Sequence, residues 1–208
     1  MGKKTSDSWI MFSTSKEEVS EMLVRMGQVT IGDDFLKIEN YPFEPSIAYR
    51  QTIFKPDQID DIDLLADPQT IRINDELIFL TGDKRISTTR EYRSEVRNFA
   101  KRNNIKTVER RDVWRGILEP FLDTEFTPEI DQRTTQFLES YGLTTDQVRS
   151  LRAEVEIQML KYNFDTMIWE WCAFGTEDVL KAMRTKYNRD EFRDFYKRVM
   201  AIALLTPK

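Results

Sequence analysis

The sequence contains no histidine. That absence removes imidazole zinc ligands, Ser-His-Asp and Cys-His catalysis, and the side chain that ordinarily moves protons near neutral pH. There is one cysteine, Cys172, so no disulfide can close within the chain, and a reducing compartment, a cytoplasm, is the expected location. Seven glycines and seven prolines among 208 residues exclude collagen-like and low-complexity chains. No apolar run reaches the roughly 18 residues of a membrane span. Met1-Gly2-Lys3-Lys4 leads into polar residues, so no secretory signal is expected. Glycine loops for phosphate, a nucleophile elbow and a dinucleotide fingerprint are missing as well. No cofactor is therefore expected, and an enzyme is the less favoured class.

What is present suffices for a core: 13 Phe, 7 Tyr, 4 Trp and 8 Met. A globally disordered chain would be short of such residues. The length fits one large domain or two small ones.

The pattern predicts an α+β fold: an N-terminal helix with a small antiparallel β-sheet, followed by an all-α helical bundle. Ser15 and Glu18 form a capping box, and Val19, Met22, Leu23 and Met26 recur at helical spacing before Gly27. Short apolar runs follow at Val29–Ile31, Phe35–Ile38, Ile47–Phe54, Thr70–Ile73 and Leu77–Leu80. The last two flank Asn74-Asp75-Glu76 as a hairpin would. Beyond Gly82 the period becomes helical, with helices expected over Thr89–Asn103, Val108–Glu119, from Thr127-Pro128, from Thr144, at Thr176 and from Asn188. The composition shift near residue 82 predicts a domain over 10–82 and a helical domain over 83–208, packed together.

Three clusters carry chemistry on paper. Asp57, Asp60, Asp61, Asp63 and Asp67 are a carboxylate cluster that could hold a divalent cation. No EF-hand spacing is present, so a solvated acidic loop is the expected form. Cys172 lies between Trp171 and Ala173 and is expected to be an inert core thiol. Tyr162, Phe164, Trp169, Trp171 and Phe174 could line a pocket, although aromatics at helical spacing usually form core. Asp165 and Glu170 would become site candidates if buried among them.

The charge distribution is more informative. Residues 84–115 hold eleven basic and four acidic side chains, a net of +7, inside a chain whose net charge is -5. On a helix, Arg90, Arg93, Arg97 and Lys101 fall within an arc of about 80°, opposite Tyr92, Val96 and Phe99. Arg93–Arg97 and Arg97–Lys101 are like-charge pairs four residues apart, which mildly destabilise an isolated helix. The compensating anion could be the chain's own Asp57–Asp67 segment, the ions of the solvent, or an external partner. The expected anion- or partner-binding residues are Arg90, Arg93, Arg97, Lys101, Arg110 and Arg111.

The favoured function is a non-catalytic interaction or regulatory protein that binds a protein partner through surface complementarity. One alternative is a nucleic-acid-binding module using Arg90–Lys101, against which the pI of about 5.1 argues. A second is a small metal-dependent enzyme using the Asp57–Asp67 carboxylates.

Overall fold

The computed structural model describes residues 27–81, 90–122, 127–166 and 173–208. The expected helix over Ser15–Met26 lies outside them, as do Trp169, Glu170, Trp171 and Cys172. The fold is mixed helix and sheet. No helix among the described residues is long and apolar enough to cross a membrane.

Strand β1 (Gln28–Ile31) pairs antiparallel with β2 (Leu36–Glu39), placing Val29 opposite Ile38. Before the chain returns to the sheet it makes one helical turn, α1 (Ile47–Arg50), because the Ser46 hydroxyl accepts from Ala48 N at 3.0 Å. β3 (Ile53–Phe54) then completes the first sheet on the other side of β2. Pro56–Gln58 forms a 3-10 turn that directs the chain away from this sheet.

The second sheet has the order β6-β5-β4-β7. It contains β4 (Asp61–Asp63), β5 (Thr70–Ile73) and β6 (Glu76–Phe79), with the β5–β6 hairpin turning at Asn74 in a left-handed conformation (φ 54°). Asparagine tolerates that conformation because its short polar side chain bonds locally. The fourth strand, β7 (Thr107–Val108), comes from beyond residue 82 and lies parallel to β4. The single antiparallel sheet read from the sequence is thus corrected to two sheets, one with a parallel edge. The segment expected to be wholly helical contains a strand, which follows the helix at Arg90–Arg102.

The helices are α2 (Arg90–Arg102), α3 (Val113–Leu118), α4 (Pro128–Ser140), α5 (Thr145–Thr166), α6 (Thr176–Met183) and α7 (Arg189–Ala203). Several starts follow their sequence signals. Thr127 caps α4 with Pro128 at its first position, Thr144 and Gln147 exchange capping bonds before α5, and Asn188 and Glu191 do so before α7. α3 starts at Val113 rather than 108, because Thr107–Val108 is held in the sheet and Asp112 caps the helix. α5 runs unbroken through Asn163, whose amide donates to Phe121 O at 3.1 Å.

Buried Ile62, Ile71 and Ile78 of the second sheet join Phe99, Trp114, Ile117, Phe195 and Val199 in one continuous core. Directional bonds fix α7 within it. Trp114 Nε1 donates to Val199 O at 3.1 Å, and the Tyr196 hydroxyl donates to Glu76 Oε1 at 2.6 Å. Burial and the nearby Glu76 carboxylate raise the Tyr196 pKa, keeping the phenol a donor. α2 buries Tyr92, Val96, Phe99 and Ala100 and turns its basic side outward.

Candidate anion-binding site

The acidic segment is a solvated loop only in part: Asp57, Asp60 and Asp67 are exposed, but two of its carboxylates are buried. Asp61 and Asp63 lie in β4 at 2% and 1% exposure, and buried carboxylates need partners. Asp61 pairs with Arg72 at 2.8 Å and with Arg110. Asp63 accepts from the backbone N–H groups of Leu65, Ala66 and Arg110 at 2.8–3.1 Å. Asp60 takes Arg72 and Asn74 N, and Asp67 takes Arg93 at 3.0 Å. No group of three or more Asp, Glu or Cys among the described residues is disposed to hold a metal ion.

Part of the basic segment is consumed by these pairs. Arg93 is held by Asp67 and Arg110 by Asp61. Arg102 reaches Asp33 and the carbonyl of Gly32. By contrast, Arg90, Arg97 and Lys101 are exposed, and their side chains make no ion pair or hydrogen bond among the described residues. The ridge therefore divides into an internally paired member and three outward cations.

Arg110 and Arg111 lie elsewhere, at a cavity of about 460 Å³ between the second sheet and helices α3, α4 and α6. Arg115 and Arg133 line the same cavity. Arg115 belongs to the same basic segment; Arg133 is the one basic residue between positions 116 and 148, so charge density could not flag it. Its signal was its place on α4, one turn before Phe137. The guanidinium groups of Arg111, Arg115 and Arg133 are exposed and, among the described residues, make no ion pair or hydrogen bond. Arg110 Nη1 is buried with no hydrogen-bond partner among those residues.

Carboxylates also face this cavity, but most are already engaged. Asp63 and Asp67 are held as described above. Glu177 pairs with Lys181 at 2.9 Å, and Asp178 accepts from Gly175 N and the Tyr162 hydroxyl. Asp112 joins two helix starts: one oxygen takes Trp114 N at 3.0 Å and the Thr176 hydroxyl at 2.7 Å, the other takes Thr176 N at 2.8 Å. Thr176, expected to cap α6, is instead the first residue of that helix and bonds to Asp112. Removal from water raises the Asp112 pKa, against the opposing pull of the Thr176 and Trp114 bonds and the Arg115 charge. Gly175 is required at this junction, since a Cβ there would stand 2.5 Å from Asp112 Oδ2.

The aromatic cluster is divided. Tyr162 packs on Phe174 with ring centroids 6.1 Å apart, whereas Phe164 is 74% exposed. With Ile157 at 74% and Leu160 at 49%, Phe164 forms an outward apolar stripe on α5. The opposite face of that helix buries Val148, Val155 and Met159.

Residues 108–206 match a domain of unknown function, DUF7079. The matched stretch contains all four arginines of the cavity and the apolar stripe of α5; the Arg90–Lys101 ridge lies before it. No curated protein and no solved structure matches the chain.

Proposed function

We propose that the chain is a cytoplasmic, non-catalytic interaction or regulatory protein whose partner is a protein with an acidic surface. The observation that carries this reading is the imbalance on α2. Asp60, Asp61 and Asp67 of the acidic segment are taken by Arg72, Arg110 and one ridge member, Arg93. Arg90, Arg97 and Lys101 are exposed and have no partner among the described residues. Like charges aligned on one helix face cost stability, and an external anion offsets that cost.

The stripe of Ile157, Leu160 and Phe164 favours a protein over a nucleic acid. Contiguous exposed apolar side chains mark protein contact surfaces, and phosphate backbones do not bury them. Nucleic-acid binding through the same ridge is the second reading, and the chain's net charge of -5 opposes it.

The test compares the immobilised chain with an Arg90→Glu/Arg97→Glu/Lys101→Glu variant, both folded by circular dichroism, in a native-host extract. The reading requires an acidic protein that the wild type retains, that rising salt releases, and that the variant does not retain. Identical retention by both proteins contradicts it. Salt-sensitive binding of a mixed DNA and RNA pool, lost in the variant, would transfer the ridge to the second reading.

A further inference from the structure

The cavity between the second sheet and helices α3, α4 and α6 is a separate feature from the α2 ridge and has a different chemistry. We infer that it is a binding site for a small phosphorylated ligand: a phosphate monoester whose anion sits among Arg111, Arg115 and Arg133 and whose apolar body lies against Phe137.

Size is the first argument. About 460 Å³ falls in the range of small-molecule sites and is too large to be a packing defect. The disposition of the cations is the second. Arg111 comes from the residue before the N-cap of α3, Arg115 from within α3 and Arg133 from α4, so elements separate in sequence bring guanidinium groups to one cavity. None of the three makes an ion pair with a carboxylate among the described residues, although Asp63, Asp67, Asp112, Glu119, Glu177 and Asp178 face the same space. All of these except Glu119 already accept from backbone, hydroxyl or other cationic donors. Arginines left unpaired beside carboxylates that are mostly engaged elsewhere leave their donors available to an incoming anion.

The number of cations favours phosphate over carboxylate. A carboxylate has one charge and two oxygens and is satisfied by one bidentate guanidinium, whereas a phosphate monoester brings close to two charges and three free oxygens. Arginine's planar fork fits those oxygens in pairs. The walls supply the rest of the specificity, because the half-buried Phe137 gives an apolar surface that free inorganic phosphate would not use.

Rigidity is built into the same place. Asp112 ties the start of α3 to the start of α6. Gly116 allows α3 to approach Phe137 and Leu138 so closely that a Cβ there would stand 3.0 Å and 3.1 Å from them. Arg115 and Arg133 are thus carried by two helices in fixed contact, the kind of preorganisation a site for a small anion needs.

The experiment is isothermal titration of the full chain with phenyl phosphate, inorganic phosphate, benzoate and phenol. Phenyl phosphate is expected to bind at one site with a Kd of about 1 mM or tighter. Inorganic phosphate should bind more weakly, benzoate at least about tenfold more weakly, and phenol not measurably, since each loses charge or apolar contact. Arg115→Gln and Arg133→Gln should each weaken phenyl phosphate about tenfold, the effect of losing one charge-assisted contact. Arg97→Gln, on the α2 ridge, should leave it unchanged, which separates failure here from failure of the partner-binding reading. Arg111→Gln is the substitute should either of the first two variants not fold. Absence of saturable binding by both phosphates overturns the proposal, as does binding that these arginine substitutions leave unaltered.

Discussion

Arg93 Nη2 stands 3.0 Å from Asp67 Oδ1, and this pair connects the two basic regions of the molecule. Arg93 belongs to the ridge on α2, while Asp67 lines the cavity that holds Arg111, Arg115 and Arg133. The pair removes one cation from the ridge and one carboxylate from the cavity. What it leaves on both sides is arginine and lysine with no partner among the described residues.

Asp112 is the most consequential single side chain near the cavity. Its two oxygens satisfy Trp114 N, Thr176 N and the Thr176 hydroxyl. Asp112→Ala removes a helix cap and leaves two N–H groups and a hydroxyl without their acceptor. The expected loss is about 2–4 kcal/mol in urea unfolding. A change below about 0.5 kcal/mol would mean that water replaces the carboxylate freely.

The same residue sets a pH dependence. Its folded-state pKa lies above the ordinary value of 3.8 because burial disfavours the charged form. A raised carboxyl pKa contributes stability that is complete below the unfolded value and is lost as the pH climbs through the folded one. Asp112→Asn cannot titrate. The stability of wild type relative to Asp112→Asn should therefore fall as pH rises from the ordinary carboxylate range through the raised value. Urea unfolding of both proteins across that range provides the measurement. A difference that grows with pH would reverse the assigned cause.

The apolar stripe on α5 should contribute nothing to folding. Ile157→Ser with Phe164→Ser removes two exposed side chains, so stability should stay within about 0.5 kcal/mol of wild type. Solubility should rise, since an exposed apolar patch promotes association. Loss of more than about 2 kcal/mol would place the stripe in a packed interface within the chain.

Much of the helical half is readable from local signals. Thr127-Pro128, Thr144 with Gln147, and Asn188 with Glu191 start helices because each supplies an acceptor to the first N–H groups of its own segment. The side of α2 that carries Tyr92, Val96 and Phe99 is buried, as the 3.6-residue period implies. Features made by distant residues are not readable this way. β7 exists because Ile62 N donates to Lys106 O at 2.9 Å, and nothing local to Thr107–Val108 signals a parallel partner. Asp61 and Asp63 look like loop residues until Arg72 and Arg110 are seen to neutralise Asp61 and backbone donors to satisfy Asp63. The cavity was equally hidden: Arg133 is isolated in the sequence, and only the packing of α3 on α4 brings it to Arg111 and Arg115.

The central claim is that the outward cations of α2 serve an external anion and do nothing for the fold. Arg97 tests it most directly, since it sits between Arg93 and Lys101 and has no acceptor among the described residues. Arg97→Glu turns two repulsive i,i+4 pairs into attractive ones. The account predicts that the folded chain is unchanged or more stable, by about 0.2–1 kcal/mol in urea unfolding at low salt. A loss of more than about 1 kcal/mol would show that Arg97 already has a partner inside the molecule, and would contradict the claim.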